Sequence, residues 1–305
     1  MYMFPARQRR ILSLTFLVIV SFVSRAQDTG NRLFDPETRS LTQRWELDSA
    51  HRKGTFRLVA HKPMYVLAGN WTSNPNKQPV SENPAYSFTK PIPIDAVEMK
   101  FQLSFKTKVL QGIFWGHGDL WAGYTQTSRW QLYNPELSRA FRETNYEPEG
   151  MLTFATRYKL LGFEGRMLGI GFTHQSNGRA LPASRSWNRI ILQAGFEREN
   201  WIILLRPWFR IPDEDDENPE IMNYVGRGDL LVSHQIKGHQ LSLLARHSLR
   251  FGENNRGSMQ FDWAMPISGN LKGHLQIFSG YGESMIDYNH RQTTIGLGVS
   301  LVAWQ

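Results

Sequence analysis

The feature that most constrains this chain is strict two-residue alternation. In "VEMKFQLSFK", Val97, Met99, Phe101, Leu103 and Phe105 alternate with Glu98, Lys100, Gln102, Ser104 and Lys106. Successive side chains of a strand point to opposite faces, so this segment is a strand with one apolar and one polar face. The pattern recurs. "TIGLGVSLVAW" sets Ile295, Leu297, Val299 and Leu301 against Gly296, Gly298 and Ser300. "WIILLRPWF" puts Trp201, Ile203, Leu205 and Phe209 on one face and Arg206, with the following Arg210, on the other. A water-facing sheet over a core shares this signature. Its recurrence, with no competing helical period, favours a barrel whose alternate residues meet lipid.

Counting alternating segments between turn clusters gives about twelve strands, an even number as single-chain bacterial barrels require. We therefore expect an all-β, twelve-stranded antiparallel transmembrane β-barrel over residues 56–305. Aromatic content agrees, with 10 Trp, 10 Tyr and 18 Phe, since such barrels gather aromatics at both membrane interfaces. Near-terminal Trp304 suits a closing strand. Residues 71–95 read as a Pro/Asn/Ser-rich loop, and "DEDDE" (Asp213 to Glu217) as a solvated acidic loop rather than a metal site.

The chain is expected to start with a leader. Arg7, Arg9 and Arg10 precede the apolar run Ile11 to Val23, and Ser24-Arg25-Ala26 offers small residues at the −3 and −1 positions. This is the pattern of a signal peptide over 1–26, and the run is short for a membrane helix. Removing it takes away four arginines and no acid, lowering the formal charge from +8 to +4. That excess, with no basic groove interleaved with aromatics, argues against a nucleic-acid partner. With no cysteine, disulfides and thiolate chemistry are excluded. Residues 27–55 form a polar N-terminal segment, expected to be extended or loosely ordered.

One polar cluster breaks the alternation. On one strand Leu168, Ile170, Phe172, His174 and Ser176 are even-numbered, and on the next Asn188, Ile190, Leu192 and Phe196 are even as well. The even set is apolar, so it is the lipid face, and His174, Ser176 and Asn188 belong to it near one rim. His174 and Ser176 are two apart, hence about 7 Å apart on the same face. A loop then brings Asn188 onto the neighbouring antiparallel strand, within cross-strand reach. Such residues can pair for packing. Their shared parity and unfavourable lipid-facing position favour a working site: Ser176 attacks, His174 takes its proton, and Asn188 fixes the ring's tautomer. The serine sits in H-x-S-x-G on a strand, not in the G-x-S-x-G elbow of soluble hydrolases.

Four blocks, "YTQTSRWQLYN", "FRETNYEPE", "FTHQSNGRALPASRSWNRI" and "SGYGESMIDYN", resemble outer-membrane phospholipase A of Gram-negative bacteria, from about Val97 to the C-terminus. The resemblance implies a calcium-dependent enzyme of the outer membrane that cleaves acyl esters of phospholipids, active as a homodimer. It implies that His174, Ser176 and Asn188 are catalytic and that the Gly178 amide helps form the oxyanion hole. The Arg179 carbonyl and Ser184 hydroxyl would bind calcium, with Ser138 contributed across the dimer and Gln126 at the interface. From the residues alone, Gly178 and Ser184 read equally as turn residues, Arg179 as a surface charge for lipid phosphate, and Ser138 as ordinary loop. Parity with Tyr124 and Ser128 leaves the face of Gln126 open.

The rival function is a catalytically silent structural barrel or a narrow pore. Inward Glu98, Lys100, Arg189, Glu197, Arg206 and Arg210 speak for a plugged, hydrogen-bonded interior instead, because twelve strands leave a lumen that side chains can fill. A soluble lipid-binding barrel would need its apolar face inside.

Overall fold

The alternation around Phe101 becomes one wall of a closed barrel. The structure, a computed structural model, describes residues 40–303; the expected leader over 1–26 and the closing Trp304 lie outside them. The strands are β1 (Leu58–Ala60), β2 (Met64–Thr72), β3 (Val97–Leu110), β4 (Asp119–Trp130), β5 (Phe141–Leu160), β6 (Phe163–Ser176) and β7 (Ser186–Arg198). They continue as β8 (Trp201–Ile211), β9 (Gly228–Ile236), β10 (His239–His247), β11 (Gly257–Ser268), β12 (Leu271–Gly280) and β13 (Gln292–Val302).

Each strand from β3 to β13 pairs antiparallel with the next, and β2 closes the ring between β13 and β3. The short β1 also pairs with β3, at Leu58↔Thr107, while β2 pairs with it at Tyr65↔Gln102. β1 and β2 are thus two pieces of one wall strand, and the barrel has the twelve expected positions. Pro63, which has no N–H to give to the ladder, lies in the break between them. On one rim four turns have two residues and 111–118 is the exception, while the loops on the other rim are long: 73–96, 131–140, 177–185, 212–227, 248–256 and 281–291.

Side chains sort as the parity requires. Leu103, Phe105, Ile170, Phe172, Leu205 and Phe209 are exposed on the outer wall, where lipid takes the place of water. Glu98, Lys100, Ser104, Lys106 and Lys108 are buried inside. Their charges are paired, as burial demands, except that of Lys106, whose Nζ makes no hydrogen bond and lies against indole rings. Arg206 grips Asp229 through two bonds of 2.8 and 2.7 Å. Glu283 takes Lys100 Nζ at 2.6 Å and Arg129 Nε at 2.7 Å. Arg189 meets Glu147 at 2.9 Å, and Arg142 bridges Glu98 and Asp287, each at 2.8 Å. All of these except the Arg142 group line a polar lumen cavity of about 140 Å³, so the expectation of a plugged interior holds for Lys100, Arg189 and Arg206. Glu283 and Asp287 belong to the "SGYGESMIDYN" block, whose loop folds into the mouth of the lumen and is fastened there by charge.

The polar N-terminal segment departs from expectation. Its described part, 40–55, is not loose. Ser40 caps a helix over Leu41–Trp45 in a reciprocal capping box with Gln43, and the helix packs inside the barrel. Leu41 and Trp45 join Trp121, Met151, Met167, Ile202 and Leu204 in one buried cluster. Glu197, one of the inward residues, accepts the Leu41 amide at 3.0 Å. Lys106 Nζ lies 3.0 Å from the centre of the Trp45 ring and 4.7 Å from that of Trp121, a cation held between indoles. A five-residue helix is unstable alone; burial of its apolar side chains in the lumen sustains it.

Candidate active site

β6 and β7 pair in the register His174↔Asn188, Gln175↔Trp187 and Ser176↔Ser186. Odd-numbered Thr173, Trp187 and Arg189 are buried inside, while Phe172 and Ile190 are exposed outside. His174, Ser176 and Asn188 therefore project from the outer wall at the long-loop rim. His174 Nδ1 lies 2.8 Å from Asn188 Oδ1. The amide oxygen can only accept, so Nδ1 carries the ring proton and Nε2 keeps its lone pair for a donor. Ser176 is the last residue of β6. No hydrogen bond joins it to His174, which lies two residues before it on the same face.

Beyond Ser176 the chain must leave the strand at once, and Gly178 does this at φ +59, a conformation that favours glycine. A Cβ there would also stand 3.0 Å from Tyr146 Cε2. The Gly178 amide donates to no protein acceptor among the described residues, so it is free for an oxyanion. Arg179 and the rest of the 177–185 loop are tied back by Asn177, whose side chain accepts from the amides of Arg179 and Arg185.

Ser184 Oγ donates to Glu217 Oε1 at 2.5 Å, and Glu217 Oε2 is buried without a partner. A hydroxyl beside a carboxylate with an unsatisfied buried oxygen offers hard oxygen donors of the kind a calcium ion takes. Glu217 lies in "DEDDE", which the sequence reads as a solvated loop. That holds for the exposed Asp213, Glu214 and Asp215, but Asp216 and Glu217 are half-buried. Asp216 accepts from Arg210 Nη2 at 2.5 Å, so this inward arginine turns up to hold the acidic loop over Ser184.

Ser138 is exposed at φ 50 on the 131–140 loop of the same rim. It makes no hydrogen bond to the 177–185 loop within this chain. The face of Gln126 is now settled. Its neighbours Trp121, Gly123 and Thr125 are buried inside, so Gln126 faces outward with Tyr124. Tyr124 Oη donates to its Oε1 at 3.1 Å, and its Nε2 donates to Ser128 Oγ at 3.3 Å. Tyr146 is the register partner of both Gln126 and Ser176, which places these two on one row, two strands or about 10 Å apart.

A closed twelve-strand barrel with an apolar outer band defines an integral protein of the bacterial outer membrane. The chain belongs to the phospholipase A1 family, whose model matches residues 41–301. It is 38% identical over 266 residues to a putative phospholipase A1 of Neisseria meningitidis serogroup B, covering 85% of this chain and 69% of that protein. To phospholipase A1 of Escherichia coli K12 it is 39% identical over 246 residues, covering 81% and 82%. Its structure is similar to outer membrane phospholipase A from Escherichia coli, with a TM-score of 0.73 at 35% identity over 81% of this chain and 94% of that one. It is equally similar to the calcium-bound dimer of the Salmonella typhi outer membrane phospholipase, with a TM-score of 0.74 at 35% identity over 83% and 95%.

Proposed function

We propose that this protein is a calcium-dependent outer-membrane phospholipase that hydrolyses acyl esters of phospholipids and lysophospholipids at either glycerol position, with His174, Ser176 and Asn188 as its catalytic residues. The observation that carries the reading is the 2.8 Å contact between His174 Nδ1 and Asn188 Oδ1, made on the lipid-facing wall beside a serine of the same face.

The chemistry follows from the geometry. A phospholipid in the outer leaflet presents its esters at the depth of this rim, so the substrate need not leave the membrane. Asn188 holds the imidazole with Nε2 unprotonated. His174 takes the proton of Ser176 as Oγ attacks the acyl carbonyl. The Gly178 amide donates to the tetrahedral oxyanion. His174 then hands the proton to the glycerol oxygen, which departs and leaves an acyl ester on Ser176. Water, deprotonated by His174, attacks that ester; the bond to Ser176 Oγ breaks, His174 returns the proton to Oγ, and the fatty acid is released.

Calcium would be held by the Arg179 carbonyl, the Ser184 hydroxyl and the Glu217 carboxylate, and when bound supplies positive charge beside the oxyanion. Ser138 is exposed on the same rim, where Ser138 of the partner subunit can complete the site in a homodimer that buries Gln126. Relatives of known structure include a calcium-bound dimer, which supports this arrangement. Fatty-acid release from phospholipid–detergent micelles, with calcium and with chelator, tests the reading. Release that needs calcium and disappears in Ser176→Ala supports it. Undiminished release by that variant contradicts it.

A further inference from the structure

Asn177, directly after the nucleophile, is buried, and every hydrogen-bonding position of its side chain is used. Oδ1 accepts from the amides of Arg179 at 3.3 Å and Arg185 at 3.0 Å. Nδ2 donates to the Ala183 carbonyl at 2.8 Å and to Glu143 Oε1 at 3.2 Å. The backbone amide of Asn177 adds a bond to the Arg185 carbonyl at 3.0 Å. One side chain thus closes the loop on itself across residues 178–184, the stretch that carries Gly178, Arg179 and Ser184. From this we infer that Asn177 is the positioning residue of the site: it sets the oxyanion amide and the calcium-facing oxygens in place together. The inference rests on the catalytic reading given above.

The bonds divide the loop's oxygens into bound and free. The carbonyls of Ala180, Pro182, Ala183 and Ser184 each accept a bond within the protein, the second and fourth from Arg185 Nη1 at 3.2 and 2.7 Å. The Gly178, Arg179 and Leu181 carbonyls accept none among the described residues. The Asn177 closure turns Gly178 into its left-handed conformation and leaves the next carbonyl unclaimed. Glu143 extends the link inward, since its Oε1 also accepts the Ile286 amide at 2.8 Å. None of these bonds belongs to the ladders that join β5, β6 and β7, so the barrel does not depend on them. Asn177 touches no reacting atom. It acts through the loop, and an asparagine is needed because the position requires two donors and an acceptor in one plane.

Three variants test this in the full-length protein in detergent micelles. Asn177→Ala should lower kcat about 10- to 100-fold, less than the roughly 100- to 1000-fold that follows outright removal of an oxyanion donor. It should raise the calcium concentration for half-maximal activity about tenfold, with KM and the heat-modified gel mobility of the barrel unchanged. Asn177→Asp sets a second carboxylate against Glu143, and close carboxylates resist joint ionisation. Its deficit relative to wild type should therefore shrink as the pH is lowered, and Glu143→Gln added to it should restore part of the activity. Wild-type kcat and wild-type calcium response in Asn177→Ala would overturn the inference. Should that variant fail to assemble, a pH-independent deficit in Asn177→Asp, unrelieved by Glu143→Gln, would overturn it equally. Activity surviving in Ser176→Ala, measured alongside, would strike the nucleophile assignment instead.

Discussion

His174 and Asn188 are register partners across β6 and β7, and His174 Nδ1 lies 2.8 Å from Asn188 Oδ1 on the lipid-facing wall. A neutral amide can orient the ring, but it cannot stabilise imidazolium as a carboxylate does. Asn188→Ala is therefore expected to lower kcat by about 10- to 100-fold, far less than Ser176→Ala, with KM little changed. Steady-state hydrolysis of a phospholipid analogue checks this; an equal collapse in both variants would mean that Asn188 does more than orient.

In the proposed site, the Ser184–Glu217 contact would make calcium dependence a property of two loops at once. Glu217→Gln keeps the shape and removes the charge that suits a divalent cation. A rise of roughly tenfold or more in the calcium needed for half-maximal activity is expected, and a smaller rise for Ser184→Ala. Calcium titration of activity, with the binding isotherm measured separately, distinguishes lost affinity from lost catalysis.

The indole cage around Lys106 should govern the lumen plug. Trp45→Ala removes a buried aromatic, typically worth about 3–5 kcal/mol, and uncovers a cation that has no hydrogen-bond partner for Nζ. Faster proteolysis within residues 40–55 is expected while the strands stay protected, as mass mapping of the fragments would show.

Acid should act on the 281–291 loop through Asp287. Burial alone would raise this carboxyl, but Arg142, with Asn76 and Ser284, outweighs it and holds the group at about 2 instead of 3.8. Because the folded value is depressed, its contribution is complete above about pH 4 and is lost as the pH falls through about 2. Asp287→Asn should thus destabilise the folded barrel by about 2 kcal/mol near neutral pH, and the gap from wild type should close between pH 4 and 2. Denaturant unfolding in micelles across that range provides the check.

Much of the architecture was legible because strand parity is a one-dimensional property. Once His174, Ser176 and Asn188 shared the parity of Ile170 and Ile190, their common face followed from the pleat, whatever the exact register. Lys100, Arg189 and Arg206 were placed inside by the same rule. What escaped depends on chain segments meeting in space. The helix at Leu41–Trp45 is too short to show a period, and only the lumen's apolar cluster sustains it. Glu217 looked like one more charge in an acidic run, because its partner Ser184 lies on a different loop. Asn177 carries no sequence signal of its role, since its bond to Glu143 crosses between strands whose register no local pattern reveals.

The central claim is that Ser176 is a nucleophile on the membrane-facing wall. Its most direct test is mass-spectrometric mapping of the adduct formed by a long-chain alkylsulfonyl fluoride in the presence of calcium. Modification of Ser176 alone, abolished by His174→Ala and slowed by chelation, is the expected result. Labelling at another serine with Ser176 untouched, or labelling of Ser176 that is indifferent to His174, would contradict the account.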